Sequence, residues 1–471
     1  MTITHEPVAA RVEPGPRLAA RPPGRLSRDV AGAFTWLTTL AVLALWVAAG
    51  GAQQLVSGDA GAALTEAGRL AGLLGAELLL VQVLLMARIP FVEQAYGQDE
   101  LTRRHRVVGF TSFWLMIGHI VLTLWGYAES AGRSLLGMTW NVVVDYPGML
   151  LAVAGTLALV MVVVTSVRRA RAKLRYESWH LLHLYAYLGA GLAVPHMVWT
   201  GRDLMSGAAQ VYWWSLWAFA LGAVLLFRVA LPLGRSLHHA VRVEAVVPEA
   251  PGVVSVHLRG RRLDTLGARA GQFFQWRFLD GPRWPQANPF SLSAAPGSDR
   301  MRITVKDLGD GSSRIASLKP GTRVLFEGPY GHMTSRLRTR RKVTLIASGV
   351  GITPLRALLD ELPAKPGDVT LLHRTRGHDD VVFKDELTAL AARGHVRVVH
   401  LPGPRRPGGP TWLPATAGSL SDSAALRRLV PDIAGHDVFI CGPDAWADAA
   451  GKAAEGAGVP RSRIHLERFT W

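Results

Sequence analysis

Four histidines lie in or at the edge of two long apolar stretches of this sequence, His105 and His119 in one, His183 and His196 in the other. On an ideal helix the 14 residues from His105 to His119 turn through about 1400°, so both imidazoles lie within about 40° of one face and about 21 Å apart along the axis. Polar side chains at membrane depth are costly and usually meet a cofactor, a cavity or a bundle interior. This arrangement suits two stacked b-type haems, each held by one imidazole from each stretch.

The second pair of histidines is less regular. His183 and His196 are 13 residues apart, which on an ideal helix leaves their directions about 140° different. Pro195 removes a backbone donor and can kink the helix, which would realign the two rings. His180 is the alternative ligand if this stretch has another register. The predicted pairs are His105 with His183 at the cytoplasmic end and His119 with His196 at the outer end.

Other polar or small residues in the apolar stretches have two interpretations. Gly109, Ser112 and Met116 share the face of the first histidine pair, and the two small residues would let flat macrocycles approach the backbone. A single buried histidine is more often a hydrogen-bonded group within a bundle, but four on two helices at near-matching separations favour ligation. Glu77, in another apolar stretch, would either relay protons or bond to a neighbouring helix.

Six stretches are long and apolar enough to cross a bilayer as helices. Arg and Lys cluster before the first stretch, between the second and third, and between the fourth and fifth, whereas the alternate connections carry only Arg69, Arg133 and Arg202. This asymmetry predicts that both termini are cytoplasmic. Residues 1–28 lack the features of a secretory signal, so we expect a disordered cytoplasmic leader. The predicted spans are 30–58, 70–87, 107–128, 146–167, 178–201 and 204–227.

Charge and cysteine usage exclude several other classes. The 471 residues carry a formal net charge of +17, spread along the chain rather than massed on one face, so we expect membrane topology and no nucleic-acid partner to explain it. Cys441 is the only cysteine, which excludes an intramolecular disulfide and an all-cysteine iron–sulfur cluster. Any redox cofactor must therefore be held by other side chains.

The second half of the chain has the pattern of two further domains. Residues 240–258 read as a β-hairpin, and the strand pattern continues to about residue 331, which predicts a small antiparallel β-barrel. From residue 341 strands alternate with amphipathic helices, which predicts a doubly wound α/β nucleotide-binding domain. The predicted division is the leader 1–28, a six-helix transmembrane bundle 29–232, the barrel 236–334 and the α/β domain 340–471.

Five motifs follow one another in this half: NPFSLSAAP at 288–296, GDGSS at 309–313, GVGITP at 349–354, FICGPD at 439–444 and the terminal ERFTW. In this order they resemble the landmarks of the ferredoxin–NADP reductase superfamily. Joined to a six-span domain with paired histidines, they resemble the ferric reductase and NADPH oxidase family, from about residue 30 to the end. The resemblance implies an FAD-binding barrel and an NAD(P)H-binding domain beside the two haems.

The NPFS motif would hold the flavin. The resemblance implies that Phe290 lies against the flavin and that the Ser291 hydroxyl bonds near the reactive ring nitrogen, with Pro289 between Asn288 and Phe290 in the same site. Asn288 stands where the family more often has a basic residue. Its amide can donate to a phosphate or ribose oxygen but adds no charge.

Two glycine turns would bind phosphates. GDGSS leads into a predicted helix N-terminus whose N–H groups and hydroxyls would bind the FAD pyrophosphate, and GVGITP offers the same to the nicotinamide dinucleotide after a buried strand. A lone glycine pattern is weak, because such turns are common in α/β proteins. The predicted residues are Gly311, Ser312, Ser313, Gly349, Gly351, Thr353 and Pro354.

HRTR at 373–376 ends the strand where the adenosine ribose should lie. Arg374 and Arg376 would receive a 2′-phosphate there, which favours NADPH over NADH, or would simply be solvated. In FICGPD, Cys441 resembles the cysteine beside the nicotinamide ring, with Gly442 and Pro443 in the same loop, or is a small buried side chain.

The C-terminal aromatics complete the resemblance. In the family such a residue covers the flavin and moves aside for nicotinamide; Phe469 fits the pattern best, with Trp471 as the alternative. The resemblance implies a multi-pass cell-membrane enzyme that passes electrons from NAD(P)H through FAD and the haems to a small-molecule acceptor outside. Ferric chelates are favoured over oxygen, which would yield superoxide, or a protein partner. A haem-binding sensor is the rival of another class.

Overall fold

The structure is a computed structural model and describes residues 25–171, 173, 176–201, 207–282, 284, 286–362 and 365–468. Most of the predicted leader, together with Arg202, Phe469 and Trp471, lies outside the described residues. Within the described part, six helices are long and apolar enough to cross a membrane, which confirms the predicted bundle. They are Arg28–Ala48, Ala60–Met86, Glu100–Ala131, Met149–Ser166, Ser178–Thr200 and Gly207–His239.

Short helices accompany these spans. The first predicted span is divided, because Gly50 adopts the left-handed conformation (φ 82°) and ends the first helix. Another helix, unpredicted, lies between the third and fourth spans. The helices are α1 Arg25–Ala48, α2 Gly51–Ser57, α3 Ala60–Met86, α4 Pro90–Tyr96, α5 Gln98–Ala131, α6 Leu135–Asp145, α7 Met149–Ser166, α8 Arg168–Arg171, α9 Tyr176–Thr200, α10 Gly207–Val224 and α11 Leu231–His239.

The bundle is built from two closely packed helix pairs. On α3, glycines face α5 so closely that a Cβ at Gly68 would lie 2.8 Å from the backbone nitrogen of Thr123. Between α7 and α9, a Cβ at Gly155 would lie 2.7 Å from the carbonyl oxygen of Gly189. Small residues allow membrane helices to approach at backbone distance. We call the α3 set Gly61, Gly68, Gly72 and Gly75 the glycine seam.

The predicted barrel consists of two three-stranded antiparallel sheets, ordered β1-β2-β5 and β4-β3-β6. Isolated bridges between Arg242 and Arg323 and between Leu292 and Ile303 join the sheets. Aromatic and aliphatic side chains from alternate strand positions fill the interior. The elements are β1 Arg242–Ala250, β2 Val253–Arg259, β3 Phe273–Phe278, β4 Asn288–Ser291, β5 Arg300–Lys306, α12 Asp310–Ser313 and β6 Val324–Tyr330.

The last domain is the predicted doubly wound α/β fold. Its five strands are parallel in the order β11-β10-β7-β8-β9, with apolar cores on both faces of the sheet. The strand order reverses between β7 and β10, where such folds bind ligands. The elements are β7 Val343–Ser348, α13 Ile352–Glu361, β8 Val369–Thr375, α14 Lys384–Ala392, β9 Arg397–Pro402, α15 Asp422–Leu429, β10 Asp437–Gly442, α16 Asp444–Gly456 and β11 Ile464–Arg468.

The last span runs directly into the barrel. A π-helical segment, Leu225–Ala230, joins α10 to α11, so the helix continues to His239, past the predicted domain end at 232. Ser236 accepts a hydrogen bond from the Phe326 N–H at 2.9 Å and donates one to the Phe326 carbonyl at 3.2 Å. Arg235 donates to the Gly328 carbonyl at 2.8 Å. The helix end is therefore fixed to β6.

Candidate functional site

The structure brings the four histidines together as two pairs. The ring centres of His105 and His183 are 6.1 Å apart, and those of His119 and His196 are 6.3 Å apart. An imidazole nitrogen binds a metal at roughly 2 Å and lies about 1 Å from its ring centre, so two imidazoles on one iron have centres about 6 Å apart. Both pairs have the separation that a haem iron requires.

Hydrogen bonds fix which nitrogen of each ring faces its partner. Nδ1 of His105 lies 3.1 Å from the Gln82 carbonyl, and Nδ1 of His119 lies 2.9 Å from the Gly68 carbonyl. On α9, the corresponding partners are hydroxyls, Ser166 at 3.2 Å from His183 and Thr200 at 2.9 Å from His196. Since Nδ1 is engaged in every ring, Nε2 is left for a metal, as in known metal sites.

Pro195 lies inside α9, as the sequence indicates, and the helix continues through it. His180 also lines the cavity described below, but its ring neighbour is Trp179, at 6.5 Å between centres. The described geometry therefore places His183, and not His180, opposite His105.

Gly109 and Ser112 on α5 line the cavity described below, beside the histidines, and they also contact α3. A Cβ at Gly109 would collide with the side chain of Gln82, and the Ser112 hydroxyl donates to the Gly75 carbonyl at 2.8 Å. Both residues therefore hold α5 against α3. The ring of His119 needs a glycine that the sequence interpretation missed, since a Cβ at Gly72 would lie 2.6 Å from its Nδ1.

Glu77 bonds to the neighbouring helix and does not face the histidines. Its carboxylate accepts from the hydroxyls of Thr38 at 2.7 Å and Thr39 at 3.3 Å, both on α1. Glu77 is fully buried, and Tyr212 donates to the Thr38 carbonyl beside it. Of the two interpretations of Glu77, the structure therefore shows the hydrogen bond to a neighbouring helix.

A continuous cavity of about 2900 Å³ connects the histidine pairs to the barrel and the α/β domain. It passes both pairs, reaches the NPFS motif, and ends at Val350, Thr353 and Glu467 beside the nucleotide-binding sheet. Sequence reasoning missed the charged groups at its middle, which come from separate elements. They are Arg228, Arg277 and Glu327, of which the last two form an ion pair at 2.5 Å.

The NPFS residues line this cavity on β4. Pro289, Phe290 and Ser291 are among its lining residues, and the Phe290 carbonyl accepts from the indole N–H of Trp276 at 3.1 Å. Asn288 also lines the cavity, but its amide donates to the carbonyls of Trp276 at 3.3 Å and Gln286 at 3.1 Å. Its donors are therefore engaged within the barrel, contrary to the expectation that they face a phosphate.

The GDGSS turn also differs from its expected form. It forms a helix of only four residues, and the hydroxyls of Ser312 and Ser313 donate to the Gly309 carbonyl at 3.1 and 3.0 Å. Gly311 packs against Gln286, beside the NPFS strand. Gly311 and Ser312 line the cavity, whereas the hydroxyls serve to shape the turn.

The two nucleotide motifs meet at the carboxyl ends of β7 and β10. Gly349 has φ 54° and open space where a Cβ would be, whereas a Cβ at Gly351 would collide with the Cys441 carbonyl. Only Gly349 therefore leaves room for a phosphate, and Gly351 packs the motif on β10. Thr353 bonds to the Val350 carbonyl at 3.0 Å, and Pro354 is buried in α13.

The thiol of Cys441 is enclosed. Its side chain is fully buried, and burial raises its pKa well above the ordinary value, so it stays protonated. Gly442 lies against the ring of Trp446, and Pro443 precedes α16. His373 is equally buried, 3.3 Å from the Gly349 carbonyl, and burial lowers its pKa to about 4. Cys441 and His373, two of the side chains buried near the Gly349 turn, are thus uncharged at neutral pH.

The two arginines of HRTR have different environments. Arg374 is buried and donates to the carbonyls of Leu401 at 3.3 Å and Pro404 at 2.9 Å, so it holds the loop after β9 instead of facing a phosphate. Arg376 is exposed at the end of β8. Of the two arginines, only Arg376 is exposed, and it stays the predicted ligand of a 2′-phosphate.

A further contact between the halves was not predicted. Arg88, in the turn after α3, has φ 63° although it is not glycine. Its guanidinium donates to Glu93 and Gln98, both at 2.7 Å, and lies 4.2 Å from the ring centre of Tyr330 on β6. The side chain is only 9% exposed. The turn between two spans is therefore stacked on the barrel.

Comparison with known proteins identifies relatives of both halves. Residues 71–194 match the family described as ferric reductase like transmembrane component, and residues 345–452 match the oxidoreductase NAD-binding domain. Ferredoxin--NADP reductase B of Sorangium cellulosum is 32% identical over 237 residues, covering 48% of this chain and 96% of that protein.

Another relative is matched over part of its length, and a solved structure is matched over nearly all of its length. The ferredoxin reductase component of 3-ketosteroid-9-alpha-monooxygenase from Mycolicibacterium smegmatis is 33% identical over 214 residues, covering 44% of this chain and 57% of that protein. The chain thus spans little more than half of that relative. The flavohem-like FAD/NAD-binding domain of nitric oxide dioxygenase from Vibrio cholerae is 24% identical, with a TM-score of 0.38 over 49% of this chain and 99% of that one.

Proposed function

This chain belongs to the ferredoxin–NADP reductase family, joined here to a ferric reductase-like transmembrane component, and on that premise we propose a transmembrane electron-transfer enzyme. It carries electrons from cytoplasmic NAD(P)H through FAD and two b-type haems to an acceptor outside, with ferric chelates as the favoured class. Both termini are cytoplasmic in this proposal, which rests on the distribution of Arg and Lys between the spans.

The proposal rests mainly on the four imidazoles, which face one another as two pairs along one continuous cavity. His105 with His183 would hold the inner haem, and His119 with His196 the outer one. The carbonyl and hydroxyl partners of Nδ1 orient each ring and raise the basicity of its other nitrogen. Because nicotinamide gives two electrons together and a haem iron takes one, the bound flavin supplies the conversion between the two.

The residues around the cavity have roles that follow from their environments. Phe290 offers an aromatic face and Ser291 a hydroxyl to the flavin, while Gly349 leaves room for the dinucleotide phosphates. Cys441 places a small, buried and uncharged side chain near the end of β10. Phe469 remains the proposed aromatic cover of the flavin, with Trp471 as its alternative.

Single histidine variants test the proposal. His119→Ala should remove one of two haems and abolish reduction of an external ferric chelate, while NADPH still reduces the flavin, as measured with a soluble cytoplasmic-side acceptor. The matched control is His180→Ala, which removes an imidazole from the same cavity but should keep both haems. Unchanged haem content and external reduction in His119→Ala would overturn the assignment.

The acceptor is tested in sealed vesicles of the unmodified protein. NADPH consumption that depends on external ferric chelate supports the reductase. Consumption that depends on oxygen, with a product removed by superoxide dismutase, would identify an oxidase instead. Purified protein that binds haem but has no flavin absorbance and no NADPH-dependent haem reduction would point to the sensor.

A further inference from the structure

The helix α6, which joins the third and fourth spans, has large apolar side chains on its outer surface. Leu136 is 85% exposed, Trp140 is 73% exposed and Val144 is 52% exposed. A water-exposed helix would place polar residues at such positions. This surface is far more apolar than a solvated connection requires.

These three side chains form one stripe, and two other faces of α6 have different surroundings. At 100° per residue, Leu136, Trp140 and Val144 lie within an arc of about 80°. Asn141 and Asp145, which bond to each other, lie beyond one edge of the stripe. On the remaining face are Met138 and Val142, which are buried against Leu124, Tyr127 and Met149.

The apolar stripe is continuous with the surface of the neighbouring spans. Trp125, near the end of α5, is 54% exposed, and Leu150, at the start of α7, is 67% exposed. Both helices are long and apolar enough to cross the membrane. Since α6 follows the end of α5 that lies away from the barrel, it meets the far edge of the same lipid-facing surface.

We propose that α6 lies in the membrane interface distant from the cytoplasmic domains, with Leu136, Trp140 and Val144 inserted between lipid acyl chains. An interfacial helix buries its apolar face at the boundary of headgroups and acyl chains, where tryptophan is favoured, and keeps its polar face in water. Asn141 and Asp145 form that polar face. The occupant of the stripe is lipid.

The position of α6 matters for the cavity behind it. Thr139, Val142 and Val143 line the same cavity as His119 and His196. The helix therefore separates the outer histidine pair from the lipid interface.

Site-directed spin labelling of the full-length protein in lipid nanodiscs tests the proposal. The variants Leu136→Cys, Trp140→Cys and Val144→Cys place a nitroxide on the stripe, and Asp145→Cys places one on the polar face. The native Cys441 is fully buried, so the unmodified protein reports the background. The readout is the ratio of collisions with oxygen, which partitions into lipid, to collisions with a water-soluble nickel chelate.

The three stripe positions should have a ratio several-fold above that of Asp145→Cys. A ratio equal to that of Asp145→Cys at the stripe positions would overturn the proposal. Dipolar broadening that disappears on dilution with unlabelled protein would also overturn it, because a second copy of the chain would then cover the stripe. Three independent positions keep the test decisive if one variant fails to fold.

Discussion

Each of the paired histidines owes its orientation to a hydrogen bond at Nδ1, and two of these bonds go to backbone carbonyls of α3. His119 reaches the Gly68 carbonyl because Gly72, one turn further along α3, has no side chain in the way. The imidazole is thus positioned by a helix that carries no ligand. Loss of a hydrogen-bond partner of a metal-binding imidazole typically lowers metal affinity about 10- to 100-fold.

Gly72→Ala should therefore weaken the outer haem. Its Cβ would lie 2.6 Å from Nδ1 of His119, so the ring must turn away from the Gly68 carbonyl. Because the imidazole loses its hydrogen-bond partner at Nδ1, haem affinity should fall roughly 10- to 100-fold. Haem titration followed by absorbance measures it. Gly118→Ala, beside His119 but with open space at its Cβ, is the matched control and should bind haem normally.

Arg376 gives a second prediction at this scale. Arg376→Ala should lower kcat/KM for NADPH by roughly 10-fold or more, since a charge-assisted hydrogen bond contributes about 1.5–3 kcal/mol, and leave NADH almost unaffected. Steady-state kinetics with both dinucleotides measures the ratio. Arg397→Ala, on the next strand, removes an exposed arginine bonded to the Leu429 carbonyl and should not change the ratio. Equal loss with both dinucleotides would contradict the assignment.

The spacing of the histidines in the sequence predicts which rings could face one another, because helical periodicity relates position to direction. The spacing does not predict the role of Gly72, because this residue matters only in having no side chain where the ring of His119 lies. Arg374 and Arg376 are equivalent in the HRTR motif, and the sequence does not show which guanidinium donates to the carbonyls of the neighbouring loop. Asn288 is a similar case, because its amide partners lie on another strand and in the preceding loop.

At the scale of elements, the turn after α3 has an unusual backbone that its contacts must stabilise. A non-glycine residue in the left-handed region costs about 1–2 kcal/mol. At Arg88 this cost is offset by two hydrogen bonds and by the stacking on Tyr330, since a guanidinium over an aromatic ring contributes about 0.5–2 kcal/mol. The turn thus links the second and third spans to β6.

The substitution Arg88→Gly distinguishes the effect of the strained backbone at this position from the effect of the side-chain contacts. The substitution relieves the strain but removes the contacts, so thermal stability should change little. Flavin reduction by NADPH should be unchanged, whereas subsequent haem reduction should slow, because the barrel is less firmly placed under the inner histidine pair. Stopped-flow absorbance resolves the two steps.

Two further variants control this prediction. Tyr330→Phe keeps the ring and should retain rapid haem reduction, whereas Tyr330→Leu should behave as Arg88→Gly does. Arg103→Ala removes an arginine that is 72% exposed and paired only locally with Glu100, and it should have no effect. Slowed flavin reduction in Arg88→Gly would contradict a positioning role.

For the whole molecule, the six spans, the barrel and the α/β domain follow from hydropathy, alternation and motif order, because these patterns are local. How the parts dock does not follow, because it depends on pairs such as Arg88 with Tyr330 that are far apart in sequence. The barrel and the α/β domain are joined in the same way. Glu386 on α14 accepts from Arg302 on β5 at 3.1 Å and from Arg356 on α13 at 2.7 Å.

The Glu386 network should make domain coupling sensitive to acid. Hydrogen bonds and charges from Arg302 and Arg356 outweigh burial and hold the pKa of Glu386 below its usual value. A carboxylate with a lowered folded-state pKa contributes its stability fully above the unfolded value, about 4.3, and loses it as pH falls through the folded value. The coupling should therefore be intact at neutral pH and fail only in stronger acid.

Glu386→Gln tests this coupling. Because the carboxylate is one-third exposed, removing its charge should cost about 2 kcal/mol at neutral pH, less than for a fully buried pair. The melting temperature of both proteins as a function of pH measures the difference, which should shrink below about pH 4. Glu455→Gln, an exposed carboxylate 3.5 Å from Arg461, is the control and should differ little from the parent at any pH. A difference that is constant down to strong acid would contradict the network's role.

The glycine seam limits which substitutions this sequence can accept during evolution. Gly61, Gly68, Gly72 and Gly75 carry no chemistry, yet a methyl group at three of them would press on α5 at less than 3 Å. At Gly68 the methyl group would meet the backbone nitrogen of Thr123 at 2.8 Å, and at Gly72 it would meet the ring of His119 at 2.6 Å. Neither clash can be relieved by a smaller facing side chain, because the first is with backbone and the second is with a proposed ligand. Among natural variants, substitutions on α3 should therefore be found at its lipid-facing positions, while the residues of the glycine seam stay glycine.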